Sequence, residues 1–336
     1  MGIPQVMPQG QAGQPEGDFA GLSGSSPQME RVYELISKVT MTRDPVLVLG
    51  ESGTGKELVA RAIHSKGPWR DRPFVPIDCG ALSPTLIESE IFGYVRGAFT
   101  GATHGRVGLL VAAGEGIVFL DELMELPLEL QPKLLRALQE REVKPLGSNE
   151  RIPIKARIVS ATNRDLKAAT KLGTFRKELY FRLNVVTIKL PPLRERREDI
   201  PGLVRFFLAK HQANRNRITG VSDEVMARLM SYEWPGNIRE LENCIQRAVA
   251  LGSAPQIRVG DLPTSVVHPA SNPSTGSATA QATLQELEKQ AIRQALEITK
   301  GDRLRAAKLL GIGKTTIYRK VKEYGLENLT DSPHSS

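Results

Sequence analysis

The chain has 336 residues, enough for two or three domains. Its 40% hydrophobic and 24% charged residues are ordinary for a globular protein and name no function. The formal net charge of +8 fits a partner that carries phosphates, although basic charge alone is a weak indication. No stretch approaches the roughly 18–20 apolar residues of a membrane span, so the sequence predicts no membrane partner.

The cysteines and the N-terminus point to the cytoplasm. Cys79 and Cys244 lie far apart with no zinc-ligand spacing around them, which suits a reducing compartment. Met1 to Gly17 lacks the basic start and apolar run of a signal peptide. We expect residues 1–20 to be a disordered leader, since they are polar and rich in glycine and proline.

The predicted elements begin with a helix from about Pro27 to Val39, where apolar residues recur at helical spacing. Helical patterns then alternate with short all-apolar runs, namely Val46–Leu49, Phe74–Ile77, Ile117–Leu120, Ile154–Ser160 and Val185–Leu190. This alternation is typical of a mainly parallel sheet covered on both faces by helices. The sequence therefore predicts an α/β core over residues 21–195.

Two further units follow the core. The pattern is helical from Arg197 to about Leu251, and it predicts a helical subdomain over residues 196–265. A stretch rich in Ser, Pro, Thr, Ala and Gly predicts a linker over residues 266–282. An all-α domain is predicted over residues 283–328, where Thr283 and Glu286 have the form of a capping box, and residues 329–336 form a tail.

A glycine-rich loop stands between the first predicted strand and a helical run. Its residues are Gly50, Glu51, Ser52, Gly53, Thr54, Gly55, Lys56 and Glu57. In this context, backbone amides and the helix N-terminus hold the phosphates of ATP while Lys56 reaches the β and γ phosphates. Glu57 stands where a Ser or Thr usually ligates Mg²⁺. The alternative is a glycine-rich turn with a chance lysine.

Polar residues follow two later strands. Asp121 and Glu122 end an apolar strand, so Asp121 is predicted to hold Mg²⁺ through its water shell and Glu122 to polarise the attacking water. A solvated acidic turn is the alternative. Asn163 closes another strand and is a candidate to sense the γ-phosphate, although asparagine there is usually a turn former.

Three arginines are candidates for the positive charge that phosphoryl transfer needs. Arg176 and Arg182 lie six residues apart, and surface salt bridges are the alternative for both. Arg239 stands at a predicted helix start in the helical subdomain and is predicted to fold over the nucleotide when that subdomain closes.

A short segment between these motifs consists of Gly97, Ala98, Phe99, Thr100, Gly101 and Ala102. One aromatic and one hydroxyl at its centre suit an exposed tip that inserts Phe99 into a partner. A hairpin that buries Phe99 in its own core is the alternative, and the chemistry alone favours it.

Residues 301–325 have the pattern of a helix-turn-helix, with a break at Gly311–Gly313 and a second helix from about Lys314. Ile317, Val321 and Tyr324 form the predicted inward stripe. Four residues are predicted to point outward, towards the major groove of double-stranded DNA, and they are Lys314, Thr316, Arg319 and Lys320. A basic amphipathic helix in a small bundle is the alternative.

The motifs Gly50–Glu57, Gly97–Ala102, Asp121–Glu122 and Pro235–Leu241 together resemble the AAA+ domain of bacterial sigma-54-dependent activators, from about Gly21 to Thr264. The tail is similar to the Fis-type helix-turn-helix of the same activators. The resemblance implies a P-loop ATPase whose helical subdomain is a lid. It also implies a transcription activator that binds upstream DNA and uses ATP and Mg²⁺ to remodel the closed sigma-54 RNA polymerase complex.

The same resemblance implies an assembly and its contacts. It implies a homo-oligomer, from a dimer to a hexameric ring, in which Arg176 and Arg182 act in trans on the neighbour's ATP. Gly97–Ala102 would contact sigma-54, and Leu126–Gln131 would be a second surface loop that moves with it. The helix over about residues 283–299 would help to dimerise the DNA-binding domain.

Asp78 departs from the family pattern, in which an asparagine commonly precedes the cysteine of the second strand and restrains the catalytic glutamate. An aspartate cannot donate that amide hydrogen bond and would repel Glu122. A DNA-bound regulator of the same family with weak or no ATPase therefore stays open, as does an AAA+ unfoldase or a metabolic P-loop enzyme, which would not need the Phe99 loop.

Regulation and targets are open at this stage. Many relatives carry an N-terminal receiver or ligand domain, and about twenty residues precede the predicted ATPase here. Control by a separate partner and a missing natural N-terminal part are both compatible with this. The operator sequence, the target genes and the signal leave no recognisable trace in the sequence.

Overall fold

A computed structural model describes residues 19, 21–81, 83–211, 218, 220–252, 255–267, 289, 292–297, 299 and 301–326. They belong to two compact units, Met1–Ala270 and Ser271–Ser336. The predicted capping box, the tail, the linker from residue 268 onward and the leader apart from Phe19 lie outside the described residues.

A five-stranded sheet forms the centre of the first unit. Its strands are β1 (Val46–Leu49), β2 (Phe74–Asp78), β5 (Ile117–Asp121), β8 (Arg157–Thr162) and β9 (Val186–Lys189). Their order is β2-β5-β8-β1-β9, and every pairing is parallel. Only β8 departs clearly from its predicted bounds, because Ile154 instead donates its amide to the carbonyl of Arg141 outside the sheet.

Helices cover both faces of this sheet. They are α1 (Pro27–Thr40), α2 (Lys56–Ser65), α3 (Pro84–Phe92), α4 (Leu109–Ala112), α5 (Gln131–Glu140), α6 (Leu166–Lys171) and α7 (Lys177–Leu183). Val46 and Val48 pack with residues of α1 and α2, whereas Leu47 belongs to the opposite cluster with residues of α3 and α5. Burial on both faces is the reason that β1 is apolar throughout rather than alternating.

Two small hairpins lie outside the main sheet. β3 (Gly93–Tyr94) pairs antiparallel with β4 (Arg106–Val107), and β6 (Glu142–Val143) pairs antiparallel with β7 (Ile152–Pro153). These strands have two residues each, too few to give a periodic sequence pattern. The segment 97–102 lies within the first hairpin.

The rest of the first unit is mainly helical, as predicted. Its helices are α8 (Ile200–His211), α9 (Asp223–Ser231), α10 (Asn237–Leu251) and α11 (Thr264–Val267). Trp234 is fully buried at its centre and donates its indole N–H to the carbonyl of Leu229 at 2.7 Å. A parallel pair of two-residue strands, β10 (Gly220–Val221) and β11 (Gln256–Ile257), was not predicted.

Among its described residues, the second unit includes the helical segments α12 (292–297), α13 (Arg303–Leu309) and α14 (Lys314–Glu323). Asp302 caps α13 by accepting the amides of Leu304 and Arg305. Gly311 has φ +66°, a left-handed conformation that separates α13 from α14 at the position where the sequence predicts a turn. The shared core is Ile292, Ala295, Leu296, Ala306, Ala307, Ile317, Val321 and Leu326.

Candidate nucleotide site and interaction surfaces

The loop between β1 and α2 has the shape of a phosphate cradle. Gly53 and Gly55 adopt φ +77° and +98°, which glycine reaches without strain. A Cβ atom on Gly53 would also lie 2.3 Å from the carbonyl oxygen of Gly236. Thr54 is buried and donates its hydroxyl to the carbonyl of Glu51 at 2.8 Å, which fixes the loop from inside.

Lys56 begins α2 and is only 7% exposed. Its Nζ donates to the carbonyl oxygens of Gly50 at 3.1 Å and Glu51 at 3.3 Å. Burial lowers the pKa of Lys56, the carboxylates of Glu122 and Asp121 raise it, and the cation of Arg239 lowers it. The charged side chains of Glu122, Asp121 and Arg239 therefore lie near Lys56 at the loop. The sequence suggested this proximity only indirectly.

Asp121 ends β5 at the carboxyl edge of the sheet. Its carboxylate accepts the amide of Glu122 at 2.9 Å. Burial raises the pKa of Asp121, whereas that amide and Lys56 lower it, and Asp78 and Glu57 raise it further. Glu122 itself has φ +48° and ψ +47°, a left-handed conformation that is costly for a residue with a Cβ and is common at functional sites.

Asp78 is exposed and lies opposite Asp121 in the register of β2 and β5. Its carboxylate accepts the amide of Gly80 at 2.9 Å, a bond that closes the turn after β2. Burial, together with Asp78, Asp121 and Glu122, raises the pKa of the Cys79 thiol to about 12. The charge of Asp78 thus raises the pKa of Asp121. Among the described residues, no hydrogen bond joins Asp78 to Glu122.

The helical subdomain contacts the loop directly. The amides of Ile238 and Arg239, at the start of α10, donate to the carbonyl oxygen of Gly53 at 3.0 and 3.3 Å. Arg239 is exposed and close enough to lower the pKa of Lys56, so it lies beside the phosphate loop. That it folds over the nucleotide stays a prediction.

Sequence reasoning did not identify Arg194 and Asn237 as site residues, although both bind the side chain of Glu51. Asn237 lies in a turn motif and Arg194 in a run of charged residues, so their type and spacing suggest only surface roles. Asn163 was predicted, and it lies exposed directly after β8. It lines a cleft of about 630 Å³ together with Gly50 and Glu51.

The segment 97–102 forms an open loop between β3 and β4. Gly97 and Gly101 have φ +81° and +97°, and a Cβ on either would meet nothing within 4 Å. The Gly97 amide donates to the Ala102 carbonyl at 2.9 Å, which closes the base. Phe99 is 43% exposed and packs on Tyr94 with ring centroids 5.0 Å apart, so the alternative of a Phe99 buried in the core is wrong.

Sequence models of three families match successive parts of the chain. The Sigma-54 interaction domain matches residues 22–189, half of the chain. The AAA+ ATPase lid domain matches residues 194–279, and the family "Bacterial regulatory protein, Fis family" matches residues 283–324.

The chain belongs to the family of sigma-54-dependent activators. It carries the ATPase domain of that family, its lid, and a Fis-type DNA-binding domain.

Whole-chain comparisons agree with this assignment. Regulatory protein AtoC of Escherichia coli K12 is 44% identical over 310 residues, which cover 90% of this chain and 67% of that protein. Response regulator protein PilR of Pseudomonas aeruginosa is 42% identical, covering 91% and 70%. The crystal structure of NtrX from Brucella abortus in complex with ATP superposes with a TM-score of 0.71 at 32% identity, covering 91% of this chain and 69% of that one.

The two candidate fingers of this sigma-54 activator are exposed; Arg176 immediately precedes α7 and Arg182 lies on it. The backbone amide of Arg176 donates to the side chain of Gln131 at 2.8 Å, and Nη2 of Arg182 donates to the carbonyl of Leu138 at 2.7 Å. Within the described part of the chain, neither guanidinium pairs with a carboxylate or hydrogen-bonds to the chain's own phosphate loop. The salt-bridge alternative therefore finds no partner there.

The predicted second surface loop is only partly exposed. Leu128 and Glu129 are exposed, whereas Leu126, Leu130 and Gln131 are buried, and Gln131 donates to the carbonyl of Leu126. Its movement with the Phe99 loop stays a prediction. The segment that contacts the Phe99 loop is 144–151, between β6 and β7. Leu146 exchanges backbone hydrogen bonds with Gly93 and Val95, and a Cβ on Gly147 would lie 2.9 Å from that of Ala98.

The second unit places three of the four predicted DNA-contact residues on or near the surface. Lys314 and Arg319 are exposed and Thr316 is half-buried. Lys320 differs from the outward orientation predicted, because its side chain is 16% exposed and its Nζ lies 3.1 Å from the hydroxyl of Tyr324. Tyr318 of the same helix is 41% exposed, and reasoning from charge alone did not select it as a candidate DNA contact.

No helix in the described residues is long and apolar enough to cross a membrane.

Proposed function

We propose that this sigma-54 activator binds an upstream DNA site, assembles into a hexameric ring and uses ATP hydrolysis to remodel the closed sigma-54 RNA polymerase complex. One observation carries the proposal: Lys56, Asp121 and Glu122 converge at the phosphate loop, while the Phe99 loop of the same unit is open to solvent. The same unit therefore carries both the residues proposed for hydrolysis and an exposed loop proposed to contact a partner. Since bacterial chromosomal DNA is the target, the site of action is the cytoplasm.

In this proposal the loop Gly50–Glu57 binds the phosphates of ATP through its amides and Lys56. Arg239 approaches from the lid, and Asn163 faces the γ-phosphate from the end of β8. The crystal structure of NtrX in complex with ATP, at 32% identity, supports nucleotide binding by this fold. Glu122 polarises the attacking water and accepts its proton, because its carboxylate follows Asp121 at the same edge.

The donors at this edge fit Mg²⁺. This ion takes one or two protein carboxylates and fills its shell with water and phosphate oxygens. Asp121 supplies a carboxylate beside Lys56 and Glu57, so it would hold the ion through water. When bound, the ion supplies positive charge that neutralises the phosphate oxygens.

The fingers are assigned to the neighbouring subunit. Arg176 and Arg182 are exposed, and no carboxylate in the described chain pairs with either guanidinium. A guanidinium without a carboxylate partner can pair with an anion from outside, and arginine pairs well with phosphate oxygens. A ring in which each subunit supplies Arg176 and Arg182 to the next would use this surface.

Two further contacts complete the proposal. The loop Gly97–Ala102 would meet sigma-54 through Phe99 and Thr100, which are exposed, whereas Ala102 is buried. Lys314, Thr316 and Arg319 of α14 would meet DNA, whereas Lys320 would stay bound to Tyr324.

A regulator of the same family with weak ATPase is the second candidate. Asp78 favours it, because the charge of Asp78 raises the pKa of Asp121. Steady-state ATP turnover by purified protein at micromolar concentrations separates the two. The main proposal expects turnover that rises more than linearly with protein concentration and is lost in Glu122→Gln; no turnover at any concentration would contradict it.

A further inference from the structure

The carboxylate of Glu51 belongs to the phosphate loop but is bound by residues from outside it. Nη1 and Nη2 of Arg194 donate to its two oxygens at 2.8 and 2.6 Å, a two-point pairing. Nδ2 of Asn237 donates to the same carboxylate at 3.2 Å. The hydrogen bond from Arg194 lowers the pKa of Glu51, so the carboxylate is charged.

Asn237 holds this arrangement in place. It is fully buried, adopts φ +52° and begins α10. Its Nδ2 also donates to the carbonyl of Ser52 at 3.0 Å, and its Oδ1 accepts the amide of Leu193 at 2.8 Å. Leu193 and Arg194 lie in the 3-10 turn Leu193–Glu195, which joins the sheet to the lid. The phosphate loop, this turn and the lid helix are therefore tied through two side chains.

The negative charge of Glu51 is unfavourable on a loop that is proposed to bind phosphates. ATP brings several negative charges into the loop, and a carboxylate on that loop repels them unless a cation cancels it. Lys56 does not cancel it in this structure, because its Nζ donates to the loop carbonyls of Gly50 and Glu51. The guanidinium of Arg194 is the group that pairs with the carboxylate of Glu51.

We propose that Arg194 is a positioning residue for nucleotide binding: it neutralises the Glu51 carboxylate and thereby keeps the phosphate loop receptive to ATP, while it ties that loop to the lid. The pairing acts through Glu51, since it is Glu51 that belongs to the loop. The proposal requires only that nucleotide binds at this loop, and it does not depend on the ring, on sigma-54 or on DNA.

If Arg194 acts by neutralising charge, removal of its charge and removal of the Glu51 charge affect nucleotide affinity differently. A purely structural contact predicts the same loss from either change. Arg194→Met leaves the carboxylate bare, so nucleotide affinity falls about tenfold or more, since like charges brought together in a site are strongly unfavourable. Glu51→Gln leaves an extra cation instead, so it loses less affinity than Arg194→Met. The double variant removes both charges and regains most of what Arg194→Met loses. Arg194→Lys keeps the charge and stays close to wild type.

The measurement is the Kd of a fluorescent ADP analogue for the full chain, at low and high salt. Salt screens an exposed charge, so the defect of Arg194→Met shrinks as the salt concentration rises. Arg194→Gln serves as the second variant if Arg194→Met does not fold. Lys210→Ala is the matched control, because it removes the 2.7 Å ion pair of Lys210 with Glu242 inside the lid; its affinity stays at the wild-type value.

Two outcomes would overturn the inference. One is wild-type affinity in both charge-removing variants of Arg194, and the other is a double variant as weak as Arg194→Met at every salt concentration. Lys56→Ala separates this from a failure of the nucleotide site itself. It is expected to abolish binding, and wild-type binding by Lys56→Ala would overturn the site and the inference together.

Discussion

Asp78 lies opposite Asp121 across the parallel pairing of β2 and β5, and its charge raises the pKa of Asp121. Most of the rise comes from the burial of Asp121, but Asp78 is the contribution that a single substitution removes. Two carboxylates therefore lie side by side at this edge of the sheet. The consequence falls on the residue that is proposed to hold the magnesium shell.

Asp78→Asn is expected to shift the acid limb of ATP turnover to lower pH. A raised pKa means that Asp121 is protonated, and its charge lost, earlier as the pH falls. Removing Asp78 lowers that pKa, so the carboxylate stays ionised further into acid. The check is the pH profile of kcat/KM for both proteins; coincident acid limbs would contradict the assignment of that limb to Asp121.

Gly53→Ala is expected to abolish nucleotide binding. The new Cβ would lie 2.3 Å from the carbonyl oxygen of Gly236 and would force a residue with φ +77° into strain. Gly202→Ala is the matched control, because Gly202 lies in α8 with its nearest neighbour at 4.0 Å. That control retains binding and gains about 0.5–1 kcal/mol of stability from helix propensity. Calorimetric titration with ADP and urea unfolding measure both, and tight binding by Gly53→Ala would count against the loop geometry.

Phe99→Ala is expected to lose sigma-54-dependent open-complex formation while retaining ATP turnover. Phe99 is exposed at the loop and contacts Tyr94, so its removal takes away a contact surface without opening the core. Met41→Ala removes a side chain that is 69% exposed at the end of α1 and leaves both activities unchanged. Transcription in vitro, run beside an ATPase assay, decides; full activation by Phe99→Ala would show that the loop makes no essential contact.

Arg319→Ala is expected to weaken DNA binding more than Lys320→Ala. Arg319 is exposed on α14, whereas the ammonium of Lys320 is engaged by Tyr324 and lies 3.8 Å from Glu323. Each lost phosphate contact lowers the slope of log K against log salt by about one. Titrations of fluorescent DNA over a salt series measure that slope. Equal losses in both variants would mean that Lys320 turns outward on DNA.

The sequence predicted those parts of the fold in which local pattern and burial agree. β1 and β5 are continuous apolar runs because both faces are covered, and the glycines of the phosphate loop are required by their backbone angles. Asn237 and Arg194 were missed because their roles depend on Glu51, more than 140 residues away in the chain. The segment 144–151 was missed for a related reason, since two-residue strands carry no periodic signal.

The orientation of single side chains was the least predictable feature. Lys320 lies on the helix face that the residue spacing predicts, but its ammonium donates a hydrogen bond to the hydroxyl of Tyr324, one turn later. Phe99 was favoured as a core residue from its chemistry, because an exposed aromatic is usually unfavourable; the open glycine-flanked loop leaves it exposed. Both outcomes depend on neighbours that pattern alone does not place.

ATP turnover in a mixture of two inactive variants tests the central claim most directly. Lys56→Ala cannot bind nucleotide but keeps its fingers, and Arg182→Ala binds nucleotide but lacks a finger. If each site is completed by the neighbouring subunit, random mixing restores about one quarter of the interfaces and a comparable fraction of wild-type turnover. Turnover in the equimolar mixture no higher than that of either variant alone would contradict a ring in which Arg182 acts in trans.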